Sequence, residues 1–296
     1  MHWCNYLLAL AAPALSLPLA PRSTAEPTDR AIWLWNSDII QSDAQVATFL
    51  SKMTAKDHAF STVLALIDRD MGFDAWESFV KKCTAAGLKV EALMGDAQWV
   101  LGKTTEDGPT LDHELSWIKQ YQAKVSSDAK LAGIHLDVEP GSLDDFDANK
   151  ATYVEALVDI VGKVKTTAES LDLPVGADLP FWANTVACGD ATLDTCLLDK
   201  LDSVTFMTYR NTASSLLGIA DPVLKAVKAV DSSKPVWLSV ETSSTCSDVS
   251  LISYAEKGLS TMLTDLVKVE TSAKKKSSGF AGVAVHSYTD FLTMTE

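Results

Sequence analysis

The strongest constraint on the fold is a unit that recurs along the chain: a short apolar strand, a turn and an amphipathic helix. The predicted strands are dense in Val, Ile, Leu, Ala and aromatic residues, which is typical of strands buried on both faces of a parallel sheet. Eight such strands are predicted, at residues 31–36, 61–68, 89–96, 131–139, 174–182, 203–209, 235–241 and 280–288. Eight strand–helix units in succession favour a closed barrel over a doubly wound open sheet.

The eighth unit is incomplete, because only residues 289–296 follow its strand. No linker or low-complexity tract divides the chain, and barrels of roughly 250 residues fold as one unit. We therefore predict a single α/β domain over residues 26–296, a (β/α)8 TIM barrel with a shortened last helix.

Residues 1–25 have the pattern of an export signal. An apolar run over residues 6–20 is followed by small residues that end at Ala25, as at a cleavage site. The run contains two prolines and is short for a bilayer span of about 20 residues, so an uncleaved anchor is the less favoured interpretation. The sequence predicts a secreted, extracellular protein with no membrane attachment after cleavage of the signal.

The cysteines fit an exported chain. Cys4 leaves with the signal, and four cysteines remain, which allow three disulfide connectivities. Cys188 and Cys196 are the natural pair, because they bracket a short loop segment. Cys83 falls on a predicted helix, where a free thiol serves as a small buried hydrophobe.

The charge balance narrows the class of partner. The formal net charge is −14, from 25 Lys and Arg against 39 Asp and Glu. A phosphate binder needs a basic surface, so nucleic acid and anionic polymers are disfavoured. The balance is compatible with neutral or cationic substrates, and equally with acidity that only promotes solubility.

Polar and aromatic side chains accumulate where the predicted strands end. In a TIM barrel the active site lies at the C-terminal ends of the strands. Five of the eight strands carry an acid there, which is more than folding requires. The candidates, in chain order, are Trp35, Asn36, Asp68, Asp96, His135, Asp137, Glu139, Asp178, Trp182, Met207, Tyr209, Arg210, Glu241, His286 and Tyr288.

The fourth strand carries the clearest chemical pattern. His135, Asp137 and Glu139 alternate with apolar residues, so they share one face of the strand, and in a barrel that face points inward. An acid beside another acid and apolar walls has a raised pKa, which suits a general acid. The alternative is a buried His–Asp–Glu network that only stabilises the barrel.

At this point the sequence resembles a known family. Residues 133–139 (GIHLDVE) resemble the end of the DxxDxDxE strand-four motif of the chitinase-like family 18 glycoside hydrolases. Residues 204–209 (VTFMTY) are similar to that family's strand-six Met-x-Tyr segment, and residues 282–286 stand where its last strand delivers a tryptophan. The resemblance implies a carbohydrate-active barrel with Glu139 as proton donor, Asp137 as its partner and Tyr209 in contact with substrate.

Four positions depart from the pattern of that family. Ala132 and His135 stand where it has aspartates, Arg210 stands where an aspartate follows the tyrosine, and His286 replaces the tryptophan. The resemblance therefore implies a distant relative that acts on another glycan.

A second resemblance assigns the same role to Glu139. Retaining glycosidases of the largest barrel clan place an acid/base Glu, usually in Asn-Glu-Pro, on strand four and a nucleophilic Glu on strand seven. Glu139-Pro140 and Glu241 match those places, with Val138 at the position of the Asn. Carboxylates about 5 Å apart give a covalent intermediate, and roughly 6.5–9.5 Å gives inversion. The partner of Glu139 is therefore Asp137 or Glu241.

Further side chains are candidates for binding substrate. Sugar rings stack on aromatic faces, and Trp35, Trp99 and Trp182 are the candidate platforms, whereas Trp33 and Trp237 lie mid-strand and are expected to pack in the core. Arg210 is expected to pair with a carboxylate of the site, or to bind an acidic sugar. The other candidate binding residues are His135, Tyr209, Asp178, Asp96 and His286.

Three functions follow from these observations. The first is a glycoside hydrolase acting on an extracellular polysaccharide or oligosaccharide, monomeric and without cofactor. The second is a metal-dependent hydrolase, for example a phosphodiesterase, with a divalent ion on His135, Asp137 and Glu139 and with Asp68 or Asp96 completing the shell. The third is a non-catalytic carbohydrate-binding barrel.

Overall fold

A computed structural model of the protein describes residues 29–106 and 108–295. The segment predicted to be an export signal, residues 1–25 with Cys4, lies outside the described residues. The described strands are β1 (Asp29–Leu34), β2 (Phe60–Leu66), β3 (Lys89–Met94), β4 (Gly133–Leu136), β5 (Val175–Pro180), β6 (Ala187–Cys188), β7 (Ala191–Thr192), β8 (Ser203–Met207), β9 (Val236–Glu241) and β10 (Phe280–His286).

The long strands close into a barrel, in the order β1-β10-β9-β8-β5-β4-β3-β2. All neighbouring pairs in it are parallel. The predicted (β/α)8 fold is therefore confirmed.

Helices connect consecutive barrel strands. They are α1 (Asp43–Met53), α2 (Phe73–Ala85), α3 (Leu111–Lys124), α4 (Phe146–Glu169), α5 (Leu193–Leu198), α6 (Ala213–Val230), α7 (Val249–Ile252), α8 (Leu259–Lys276) and α9 (Tyr288–Thr293). Short 3-10 helices lie at Ser37–Gln41, Ala97–Leu101, Ser127–Ala129, Pro140–Ser142 and Ala183–Thr185. The helix after the last strand, α9, has 6 residues, as predicted. Among the described helices, none is both apolar enough and long enough to cross a membrane.

The apolar residues form two cores. The larger core lies between the strands and the helices and contains most of the Val, Ile and Leu of the strands. The smaller core fills the barrel interior, where Ala31, Leu64, Leu93 and Ala284 pack around Trp33. This alternation along each strand leaves the inward positions near the strand ends for polar side chains.

The connection from β5 to α5 carries a small insertion beside the mouth of the barrel. Its strands β6 and β7 pair in an antiparallel hairpin. A disulfide joins Cys188 and Cys196 across it, as predicted. Cys83 is fully buried on α2, which agrees with its expected role as a small hydrophobe.

Several strands end earlier than the sequence predicted. β3 ends at Met94, β4 at Leu136 and β8 at Met207, which is 2 or 3 residues before the predicted ends. After β4 the reason is Pro140, which has no N–H to donate to a strand and opens the 3-10 helix instead. Asp137, Glu139 and Tyr209 therefore lie on loops that leave the barrel mouth.

Candidate active site

Asp137 is placed by a close approach of two backbones at the end of β4. Its N–H donates to the carbonyl of Met94 at 3.0 Å, which continues the β3–β4 pairing by one residue. Gly95 faces the Asp137 backbone so closely that a Cβ there would stand 1.7 Å from the Asp137 carbonyl oxygen. The position of Asp137 therefore depends on the absence of a side chain at residue 95.

Asp178, on β5, is the buried centre of the site. Its Oδ1 lies 2.9 Å from Nε2 of His135, and its Oδ2 accepts a hydrogen bond of 3.0 Å from the indole N–H of Trp33. The side chain is 1 % exposed. Both carboxylate oxygens thus face hydrogen-bond donors.

Asp137 and Glu139 are held toward their protonated forms. Burial, followed by the negative charges of Asp178 and Glu139, raises the pKa of Asp137 well above its usual value, and His135 offsets this in part. Its Oδ1 is buried without a hydrogen-bond partner. Partial removal of the carboxyl group from water by the surrounding protein, and then the charge of Asp178, raise the pKa of Glu139 as well. Because Glu139 is exposed at the rim, water weakens these effects and its pKa stays closer to normal than that of Asp137.

A cavity of about 310 Å³ opens beside this acid pair. Glu139, Asp178, Trp182 and Tyr209 all line it. Burial and the charges of four carboxylates, with Asp178 first, raise the pKa of Tyr209 well above its usual value. The phenol is therefore neutral, and its hydroxyl is available as a donor at the cavity.

Glu241, His286 and Trp35 form a hydrogen-bonded chain across the mouth. The indole N–H of Trp35 donates to Nε2 of His286 at 2.9 Å, so that nitrogen is unprotonated. The other nitrogen, Nδ1, then carries the proton and donates it to Oε2 of Glu241 at 3.0 Å. The rings of His286 and Tyr209 lie 5.9 Å apart, which joins this chain to the cavity.

Glu241 is an ionised carboxylate with both oxygens engaged. Its Oε1 accepts the backbone N–H groups of Thr242 and Ser243, each at 2.8 Å. Burial works to raise the pKa of Glu241, but the hydrogen bond from His286 and these two N–H groups lower it overall. Glu241 therefore supplies a fixed negative charge at the mouth.

The site does not have the arrangement of a metal centre. One ring nitrogen of His135 is bonded to Asp178, and the other lies 3.5 Å from Glu91, so neither points at Asp137 and Glu139 together. Within residues 29–106 and 108–295, no group of three or more His, Cys, Asp or Glu side chains is arranged to hold an ion.

Six expected binding residues do not line the cavity: Trp35, Asp96, Trp99, His135, Arg210 and His286. Trp35, His135 and His286 belong to the hydrogen-bonded groups described above, and the other three are engaged elsewhere. Asp96 caps a 3-10 helix and fixes the following loop, because its oxygens accept the backbone N–H groups of Gln98 and Thr105. Arg210 forms no carboxylate pair among the described residues. It donates to the carbonyl of Tyr209 and lies over the ring of Phe181. Trp99 is 7 % exposed and its indole N–H is bonded to a backbone carbonyl, so it is no platform.

Two residues of the site were missed by the sequence interpretation. Trp33 is 1 % exposed, as expected for packing, but it also donates to Asp178. Its position two residues before Trp35 on the inward face of β1 was the available signal. Gly95 carried no signal, because only the three-dimensional approach to Asp137 makes the glycine necessary.

No protein-family model and no curated protein sequence matches the chain. Solved structures share its fold. A GH18 chitinase from Pseudoalteromonas aurantia aligns with a TM-score of 0.54 and 10% identity over 88% of this chain and 94% of its own. A mutant GH18 chitinase from Cycas revoluta, in complex with (GlcNAc)4, aligns with a TM-score of 0.54 and 10% identity over 88% of this chain and 95% of its own. The PgaB (BpsB) glycoside hydrolase domain from Bordetella bronchiseptica aligns with a TM-score of 0.54 and 12% identity over 90% of this chain and 95% of its own. The resemblance to chitinase-like barrels is thus confirmed at the level of the fold.

Proposed function

We propose that the protein is a secreted glycoside hydrolase that cleaves an extracellular polysaccharide, with Glu139 as the general acid and Asp137 as its partner. The observation that carries the proposal is the arrangement of acids at the mouth. Asp137 and Glu139 have raised pKa values beside the negative charge of Asp178, and of these three residues Glu139 and Asp178 line a cavity. A protonated acid next to an ionised one is the pairing that hydrolysis of a glycosidic bond requires.

The chemistry would proceed by proton transfer from Glu139. Its carboxyl protonates the glycosidic oxygen as the bond to the anomeric carbon breaks, and positive charge develops on the sugar ring. The negative charges of Asp178 and Glu241 stabilise that charge. Water then adds to the anomeric carbon and returns a proton to Glu139.

The state of its oxygens makes Asp137 a better partner than Glu241. Asp137 has an oxygen without a hydrogen-bond partner, whereas both oxygens of Glu241 are held by the backbone and by His286. Attack by Glu241 on a sugar would have to break one of these contacts. The charge of Glu139 is also one of the causes that raise the pKa of Asp137, so the two carboxyl groups influence each other's protonation.

The walls of the cavity support a sugar as the ligand. Trp182 and Phe181 present aromatic surface, and Tyr209 offers a hydroxyl donor. An apolar aromatic wall with a few directed polar groups is the usual environment of a bound saccharide ring. The net charge of −14 favours neutral or amino-sugar polymers over polyuronates.

The test is release of reducing ends from a panel of polysaccharides, with neutral, amino-sugar and polyuronate members, in the presence and absence of EDTA. We expect hydrolysis of a neutral or amino-sugar polymer that EDTA does not affect. Activity abolished by EDTA would support the metal-dependent alternative. Binding without hydrolysis across the panel would support the carbohydrate-binding alternative, and each of these outcomes refutes the proposal.

Removal of the charge on Asp178 should shift the pH profile of hydrolysis. Asp178 raises the pKa of both Asp137 and Glu139, so Asp178→Asn lowers both values. The donor then loses its proton at lower pH, and the alkaline limb of the kcat/KM profile moves down by about one pH unit or more. The measurement is kcat/KM against pH for both proteins.

The matched control is Glu155→Gln, which removes one negative charge from the exposed face of α4. Screening by salt makes a distant surface charge ineffective, so its profile should follow the wild type. An alkaline limb that stays in place in Asp178→Asn would contradict the assignment of Asp178.

A further inference from the structure

His135 is enclosed inside the barrel between two carboxylates. The residue is 2 % exposed. Its Nε2 lies 2.9 Å from Oδ1 of Asp178 on β5, and its Nδ1 lies 3.5 Å from Oε2 of Glu91 on β3. Asp137, on the continuation of β4, is the third carboxyl group near the ring.

The geometry leaves one protonation state for this ring. A neutral imidazole carries a lone pair on one nitrogen. If that nitrogen were Nε2, the lone pair would face Asp178, and if it were Nδ1, the lone pair would face Glu91. Either tautomer sets a lone pair toward a carboxylate, whereas the imidazolium directs an N–H toward each. Nδ1 is buried without a hydrogen-bond partner among the described residues, so Glu91, at 3.5 Å, acts on it through its charge. Burial opposes the charge, yet Asp178 and Glu91 raise the pKa of His135 to about 10.

Glycines make the space in which Glu91 meets the ring. Gly133 pairs with Glu91 in the β3–β4 register, and a Cβ there would stand 3.3 Å from the Glu91 carboxyl carbon. A Cβ at Gly176 would stand 3.0 Å from Nδ1 of His135. The Glu91 side chain is 21 % exposed, so it keeps contact with water.

We propose that Glu91 is a positioning residue of the active site, which holds His135 as a cation against Asp178, beside the acid pair. Glu91 itself is separated from the cavity by His135 and Asp178. The proposal rests on the proposed function, because the acid pair acts only if the protein is a glycosidase. Without Glu91, Nδ1 of His135 faces no anion. One of the two negative charges that favour the imidazolium is then lost, and the pKa of His135 falls.

The consequence reaches Glu139 through a line of alternating charges. Glu91 is negative, His135 positive and Asp178 negative, and the negative Asp178 keeps the protons of Asp137 and Glu139 in place. The negative charges of Glu91 and Asp178 favour the cationic ring between them, and the charge of Asp178 favours the protonated forms of Asp137 and Glu139. The site therefore extends from the mouth into the interior of the barrel.

The experiment compares the wild type with Glu91→Gln, which preserves the shape of the side chain and removes its charge. The first measurement is the titration of the His135 ring by NMR, assigned by the loss of its signals in His135→Gln. We expect the wild-type ring to stay cationic to about pH 9, and the Glu91→Gln ring to titrate at least about one unit lower. The second is steady-state kinetics, where we expect kcat to fall on the order of tenfold with KM unchanged, because Glu91 does not touch substrate.

Two variants keep the result interpretable. Glu91→Asp retains the charge, so its His135 ring should titrate closer to the wild type than that of Glu91→Gln. Glu155→Gln carries the same change in net charge at an exposed site and should leave the ring and kcat as they are. Thermal unfolding of each variant checks that the fold is retained.

The outcomes separate this proposal from the proposed function. An identical His135 titration in wild type and Glu91→Gln overturns it, whatever the enzyme assay gives. A lowered titration with unchanged kcat in an active enzyme overturns the positioning role. The ring titration needs no substrate, so a negative polysaccharide panel, which refutes the glycosidase proposal, is a different result from an unresponsive ring.

Discussion

Glu139→Gln should abolish nearly all hydrolysis of whichever polysaccharide the wild type cleaves. Glutamine keeps the size of the side chain but has no proton to give to the glycosidic oxygen. General acid catalysis contributes roughly 10²–10⁴-fold, and we expect kcat/KM to fall by about 10³-fold. Because Glu139 stands at the rim of the cavity, the variant should still bind substrate. Initial rates of reducing-end release and calorimetric titration with an oligosaccharide measure the two effects.

The pH dependence of the residual rate adds a second criterion. In the wild type the alkaline limb reports loss of the donor proton, so it should be absent in Glu139→Gln. Glu155→Gln, with the same change of charge on α4, should keep wild-type kinetics. If Glu139→Gln retained most of its activity, the proton donor would have to be another residue.

Gly95→Ala should damage both the stability and the activity of the protein. The added Cβ would stand 1.7 Å from the carbonyl oxygen and 2.4 Å from the carbonyl carbon of Asp137, so backbone must move. Overpacking of this kind costs typically 1–3 kcal/mol of unfolding free energy. The displaced group carries the catalytic pair, and a misplacement on the order of 1 Å costs about 10²-fold in rate. Denaturant unfolding and kcat/KM on the identified polymer test the two expectations.

The matched control is Gly162→Ala, on α4, where a Cβ meets nothing within 4 Å. Alanine is the better helix former, so this variant should be more stable by about 0.5–1 kcal/mol and equally active. A Gly95→Ala protein as stable and active as the control would show that the β3–β4 contact tolerates a side chain.

The fold and the acid pair could be predicted because both follow from local patterns. Buried parallel strands are continuous apolar runs, and eight of them in succession leave few architectures. Asp137 and Glu139 were found because they follow β4 directly, at the end of the barrel where active sites lie. The strand ends themselves were placed too late, since a sequence of alternating residues looks the same before and after the ladder breaks.

The remaining errors come from contacts that the pattern of strand residues does not reveal. Asp96 has the position of a site residue, but its oxygens accept hydrogen bonds from backbone N–H groups of the segment that follows it. Arg210 was expected to pair with a carboxylate, yet it bonds to a backbone carbonyl, and Asp178 and Glu241 already accept from other donors. Glu91 was not predicted as part of the site, because the sequence of β3 does not reveal that the side chain of His135 on β4 lies near it.

The hairpin between β5 and α5 has a consequence for how such a barrel can diversify. Phe181 and Trp182 precede the hairpin and Leu193 follows it, and all three line the cavity. The Cys188–Cys196 bridge closes a loop that contains Leu193 and follows Phe181 and Trp182. The acids, by contrast, stand at the ends of barrel strands. The aromatic wall of the cavity and the acids thus lie on different segments of the chain. Exchange of the short segment between β5 and α5 is therefore a route by which related barrels can change the ligand they bind while the acids stay in place.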